Sequence, residues 1–142
     1  MLQNVETEDR RLLIVIDAAV AESVRRSGDW IACRPGCTEC CKGPFAITTL
    51  DAARLRRGLA DLEGGDPERA TRARWRAKDY IARIAPVYPG DPITGELLDE
   101  AALPASADDI PCPALDPGTG LCDLYASRPI TCASGCCRSI HI

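Results

Sequence analysis

Nine cysteines fall in two groups, Cys33, Cys37, Cys40 and Cys41 in the stretch CRPGCTECC, then Cys112, Cys122, Cys132, Cys136 and Cys137, with none in the seventy residues between. A thiolate can attack an electrophile, exchange with a disulfide or bind a soft metal. The arrangement separates these chemistries. Nucleophilic catalysis needs a base beside the thiol, and the only histidine is His141, next to the C-terminus, where a solvated side chain is expected. Glu39 is the one acid inside the first group and reads as a solvated charge. A complete set of intrachain disulfides would leave one of nine thiols over. Two clusters on separate chain segments suit a metal centre, because each segment then supplies part of one coordination shell. Four thiolates around zinc, at about 2.3 Å, form a tetrahedron. Iron–sulfur clusters are likewise held by cysteine. With no histidine ligand in reach, an all-thiolate centre of either sort is the expectation, and a disulfide framework is the alternative.

The spacing also limits how the thiols can be presented. Pro35-Gly36 marks a tight turn between Cys33 and Cys37. If the chain after Gly36 is helical, Cys37, Cys40 and Cys41 share a face. Adjacent Cys40 and Cys41 diverge, so one of them serves this centre and the other a second centre or a sulfur-bridged cluster. Asp116-Pro117-Gly118-Thr119-Gly120 is a turn between two short apolar runs, and a hairpin there brings Cys112 toward Cys122.

Helices must hold these loops. Residues 6–27 carry Leu12, Leu13, Ile16, Val20 and Val24 at spacings of three and four, an amphipathic helix closed by Gly28. Residues 49–85 read as a helical insert of two helices. The first starts at an N-cap Thr49 and runs through Leu50, Leu55, Leu59 and Leu62 to Gly64-Gly65. The second opens at Asp66-Pro67-Glu68, with an inner face of Ala70, Ala73, Ala77, Ile81 and Ile84. Residues 86–111, rich in proline, glycine and acids, read as a surface crossing. The fold class expected is mainly α: a small single domain spanning 1–142, of about three helices, with irregular cysteine-rich loops at 33–41 and 112–137 organised around a metal centre.

A chain of 142 residues buries roughly two-thirds of its unfolded surface, so crosslinks are not needed merely to fold it. Arg10-Arg11, the run LLIVI and Ala19-Val20-Ala21 imitate a secretion signal, but three acids precede the arginines and Asp17 follows the apolar run. No stretch reaches the ~20 apolar residues of a membrane span. A cytoplasmic protein is expected, where clustered cysteines more often hold metal than form disulfides. The net charge of −4 divides unevenly, with nine basic and six acidic residues from Asp51 to Arg83. Arg69, Arg72, Arg74, Arg76, Lys78 and Arg83 with Trp75 could meet phosphates and a base, but a surplus of three is too small for a nucleic-acid face and the solvated reading is preferred.

Two stretches together resemble a known family. Cys33-x3-Cys37-x2-Cys40-Cys41, then PCPAL and LCDLYASRPITC, is similar to the bacterial YkgJ-type family of zinc- or iron-chelating domains, also described by its CxxCxxCC motif. The resemblance implies that Cys33, Cys37, Cys40, Cys41, Cys112, Cys122 and Cys132 chelate the metal. Where the family commonly continues with arginine, this chain has Ala133-Ser134-Gly135 and then Cys136-Cys137, which join the candidate ligands. In the second half Tyr125 offers an aromatic wall, Ser127 and Pro129 suit a helix start, and Arg128 sets a fixed positive charge beside anionic sulfur. The function expected is metal binding by thiolates, as an iron–sulfur cluster or zinc, in a structural, electron-transfer or metal-handling role. Related cysteine motifs in a flagellin lysine methylase keep a methyl-transfer or redox enzyme open as the alternative. A module in which the basic helix docks a protein partner or nucleic acid is the third.

Overall fold

The computed structural model describes residues 2–30, 37–99 and 102–134. Cys33, Cys136, Cys137 and His141 lie outside the described residues. The first helix, α1 (Leu2–Ser27), begins four residues earlier than the apolar pattern predicted. It stops at Gly28, whose φ of 51° is the left-handed conformation that glycine takes without steric cost. Arg25 and Arg26, at the negative helix end, both donate to Glu22. Asp9 and Leu13 are buried, and Ile16, Val20 and Val24 are half-buried along the same stripe. Leu12, expected on that stripe, is 44% exposed, because the inward face steps 9, 13, 16, 20, 24 and leaves position 12 a hundred degrees away.

The next two helices, α2 (Thr49–Gly65) and α3 (Pro67–Ile84), pack together across a junction of one residue. Asp66 ends one and caps the other, accepting the Arg69 N–H at 3.0 Å, and Pro67 occupies the first turn as predicted. The cap of α2 is Thr48, not Thr49. Thr48 Oγ1 accepts the Asp51 N–H while Asp51 Oδ2 accepts the Thr48 N–H, a reciprocal box that needs an acid three residues after the cap. On α3, Ala70, Ala73 and Ile84 are buried as expected, but Ile81 is 62% exposed. The buried stripe continues through Tyr80, which packs with Tyr88 against Ile84, Ala107 and Ile110.

After the crossing come two short antiparallel strands, β1 (Leu115–Asp116) and β2 (Leu121–Cys122), paired Leu115 to Cys122 and Asp116 to Leu121. The predicted hairpin is thus present, its turn fixed by Asp116 Oδ1 accepting the Gly118 N–H and by Gly120 at φ 70°. A turn of 3₁₀ helix at Tyr125–Ser127 leads to a fourth helix, α4 (Ile130–Ser134), beyond the three expected. It starts just after Pro129, where Ser127 and Pro129 suit a helix start, but at barely more than one turn it is too short for periodicity to count it as a helix.

Five of the thirteen buried residues among those described are charged: Asp9, Asp51, Arg54, Asp123 and Arg128 stand beside Leu13, Gly58, Ala70, Ala73, Ile84, Ala107, Ile110 and Pro129. Arg54 joins three segments: it donates to both oxygens of Asp9 on α1, to Asp51 Oδ1 at 2.9 Å and to the Arg128 carbonyl at 2.9 Å. Asp51 Oδ1 also accepts the Ile130 N–H at 3.0 Å, so the start of α4 hangs from α2. Burial would raise the Asp51 carboxyl, but hydrogen bonds from Thr48 and Ile130 and the Arg54 charge outweigh it and hold it below the usual range. The lowered value means that this contribution to stability is present above the ordinary carboxylate range and is lost as acid protonates Asp51. Arg57 adds a bond to Glu6 at 2.7 Å on the same face.

Arg54→Met, which leaves two buried carboxylates without their cation, is expected to lower stability by about 3–5 kcal/mol in denaturant unfolding. Gly58 is the second tight point, since a Cβ there would lie 2.3 Å from Ser127 Oγ and 2.5 Å from Ser127 Cβ. Gly58→Ala should therefore cost about 1–3 kcal/mol despite its better helix propensity, and Ser127→Gly in the same chain should restore most of it.

Candidate metal centre

Three backbone devices bring the cysteines together. The first is a piece of antiparallel pairing between the two cysteine segments. Lys42 bridges Pro111, Gly43 N–H donates to the Ile110 carbonyl at 2.9 Å, and Cys112 N–H donates to the Cys41 carbonyl at 2.8 Å. In that register Cys41 stands opposite Cys112, and opposite residues of an antiparallel pair project to one face. The conditional helix after Gly36 does not form: Cys37 and Thr38 are irregular, and a turn closed by Cys41 N–H on the Thr38 carbonyl follows. Pro44 and the positive φ of Gly43 end any helix there, and the pairing with 110–112 takes the backbone groups a helix would have used.

The second device is the hairpin, held from outside by α3. Asp123, beside Cys122, is buried between Arg69 and Arg76, and Arg76 Nε also donates to the Pro113 carbonyl at 3.0 Å, beside Cys112. One guanidinium thus grips both arms of the loop that carries two thiols. This corrects the reading of the basic helix face as merely solvated. Arg74 meets Glu63 and Arg83 meets Asp79, so four of its six cations are committed within the chain. Trp75 is exposed, and Glu39 is an exposed charge facing Lys42 at 3.6 Å.

The third device places Cys132 on α4, hung from Asp51 and Arg54. Together these set Cys37, Cys41, Cys112, Cys122 and Cys132, all free thiols, around one cavity of about 330 Å³. Cys40 borders the same cavity but is exposed and disulfide-bonded, which sets it apart from its neighbour Cys41. The remaining wall is mostly apolar, with Phe45, Leu55, Leu59, Leu124 and Tyr125 facing the sulfurs.

The thiols are electrostatically coupled. Burial pushes Cys122 up to about 11, and Cys112 and Cys41, as anions, add to the rise. Burial likewise pushes Cys132 to about 12, with Cys112, Cys122 and Cys41 repelling its charge and Arg128 opposing them. Cys41 is raised by burial, then by Cys112 and Cys37. Cys112 is raised by burial, while backbone donors at Ala114 and Leu115 and the Arg76 charge favour its anion, as the Leu124 donor does for Cys122.

The donor set therefore fits a thiophilic metal of the zinc or iron–sulfur type. Among the described residues no three Cys, His, Asp or Glu side chains are gathered tightly enough to hold a metal ion as they stand. The sulfurs ring the cavity and do not meet at a point. No helix among the described residues is long and apolar enough to cross a membrane.

Without metal, the raised thiols lose their protons at higher pH in the fold than in the unfolded chain. Their contribution to stability is complete below about 9, the ordinary thiol value. It is lost as pH rises toward 11 to 12. Denaturant unfolding of the reduced, metal-free protein should accordingly show stability falling between these limits, and replacing Cys122 and Cys132 by alanine should flatten the decline.

Compared with known proteins, the chain matches the model of the family described as CxxCxxCC, putative zinc- or iron-chelating domain, over residues 32–140. No curated protein matches it. No solved structure does either.

Proposed function

The chain belongs to the CxxCxxCC family of zinc- or iron-chelating domains, and from that premise we propose that it is an iron–sulfur protein whose described ligands are Cys37, Cys41, Cys112, Cys122 and Cys132. One observation carries the reading: free thiols from two segments seventy residues apart border a single cavity. Five thiols spread around the cavity, with no three of the described ligands drawn together for one ion, favour a cluster over a single ion. A lone zinc instead asks its four sulfurs to close within about 2.3 Å of one centre.

When bound, a cluster supplies one-electron chemistry and crosslinks the two segments. The chain's own part is to supply the thiolates, to shield them with Phe45, Leu59 and Tyr125, and to offset their charge through Arg128 and the backbone donors. Electron transfer or a structural role follows from these parts. Binding must expel protons from thiols that burial holds neutral, so affinity rises with pH. Because thiols from both segments would bind only in the folded chain, ligation also adds directly to folding free energy.

Anaerobic purification, or reconstitution with iron and sulfide, is expected to give a brown protein with a thiolate-to-iron absorption band that bleaches on reduction. Its Tm should exceed that of the metal-free form, and Cys112→Ala or Cys122→Ala should abolish both colour and stabilisation. A colourless protein with stoichiometric zinc would replace the cluster by a tetrathiolate zinc site. A protein that folds fully and takes up neither metal would refute the assignment.

A further inference from the structure

Arg128 is more than nine-tenths buried, and two of its three nitrogens are committed. Its Nη1 donates to the Tyr125 carbonyl at 2.8 Å and its Nη2 pairs with Asp17 on α1, while the guanidinium lies 4.0 Å from the centroid of the Tyr125 ring. Its own carbonyl is held by Arg54. The group is therefore fixed in position and in plane. Its Nε is buried and has no partner among the described residues. A buried N–H without an acceptor costs about 1–3 kcal/mol, so a donor left over on an otherwise fully anchored guanidinium asks for an acceptor that the metal-free fold does not supply.

The residue borders the sulfur cavity beside Cys132, whose thiolate its charge favours. We propose that Arg128 Nε–H is a hydrogen-bond donor to sulfur of the bound centre, either the Cys132 thiolate or an inorganic sulfide next to it, and so sets how tightly the metal is held and at what potential it is reduced. This rests on the metal-binding reading above. The donor and its charge stabilise electron-rich sulfur, and more so in the reduced state, which carries one more negative charge. Losing them destabilises the reduced form and drives the potential down. Lysine at this position keeps the charge but not a planar nitrogen held in place by Tyr125 and Asp17.

The test uses the full chain loaded with iron and sulfide, or with zinc if that is the metal it takes, and compares wild type with Arg128→Lys, Arg128→Gln and Asp17→Asn. Competition with a chelator should show both Arg128 variants losing metal affinity by about 10- to 100-fold. Their sulfur-to-metal absorption band should shift, and for an iron centre their reduction potential should become more negative. Asp17→Asn, which removes a partner of Nη2 and leaves Nε in place, should remain near wild type in all three. Arg128→Gln with wild-type affinity and an unshifted band would overturn the proposal. So would Asp17→Asn losing as much as Arg128→Gln, since anchoring of α1 would then explain the effect. A wild-type chain that binds no metal at all is a separate result, and it removes the metal reading itself.

Discussion

The guanidinium of Arg54, buried between the carboxylates of Asp9 and Asp51, is the contact on which the remaining structure depends. It draws α1 against α2 from one side and, through the Arg128 carbonyl, fixes the segment leading to Cys132 from the other. Asp51 completes the junction, one carboxylate oxygen accepting the N–H of the cap Thr48 and the other the Ile130 N–H. A buried ion group of this kind is a weak source of net stability compared with an apolar cluster of equal volume. What it provides is direction, since each oxygen and each N–H admits its partner along a narrow range of angles. In a site built from loops, that direction decides where the thiols stand.

The second constraint is that this small chain gives five half-buried positions around its cavity to sulfur. A purely structural domain of this length would fill the space between α2, α3 and the hairpin with leucine and valine. Here Leu55, Leu59, Phe45 and Leu124 form only one wall, and five thiols form much of the other. Neutral thiols behave as small hydrophobes and can sit there without a metal. Charged ones repel each other, a repulsion that adds to burial in raising Cys41, Cys122 and Cys132. A cation at the centre reverses that sign, turning repulsion among thiolates into attraction to a shared charge.

Much of this was legible from residue spacing. The segregation of the cysteines announced a split site, the Asp66-Pro67 junction marked where α2 gives way to α3, and Asp116 to Gly120 marked the hairpin. The errors have physical causes. Leu12 and Ile81 are each one residue away from a stripe that periodicity places only to within a turn, so they face water. The segment from Cys37 to Cys41 was read as conditionally helical because local spacing cannot show that Gly43 and Cys112 will pair it to a strand seventy residues on. Arg54, Arg69 and Arg76 carried no signal at all. An arginine on a helix face looks the same whether it meets water or a buried aspartate forty-five or more residues away.

The central claim is that sulfur from both segments binds one centre. Metal-edge X-ray absorption of the loaded protein measures this most directly, because the scattering shell reports the ligand atoms and any second metal within bonding distance. The account predicts a first shell of sulfur alone, with an additional iron–iron shell, that loses protein sulfur when either Cys41 or Cys122 is replaced. A first shell dominated by nitrogen or oxygen, or one unchanged by removing a thiol from either segment, would contradict it.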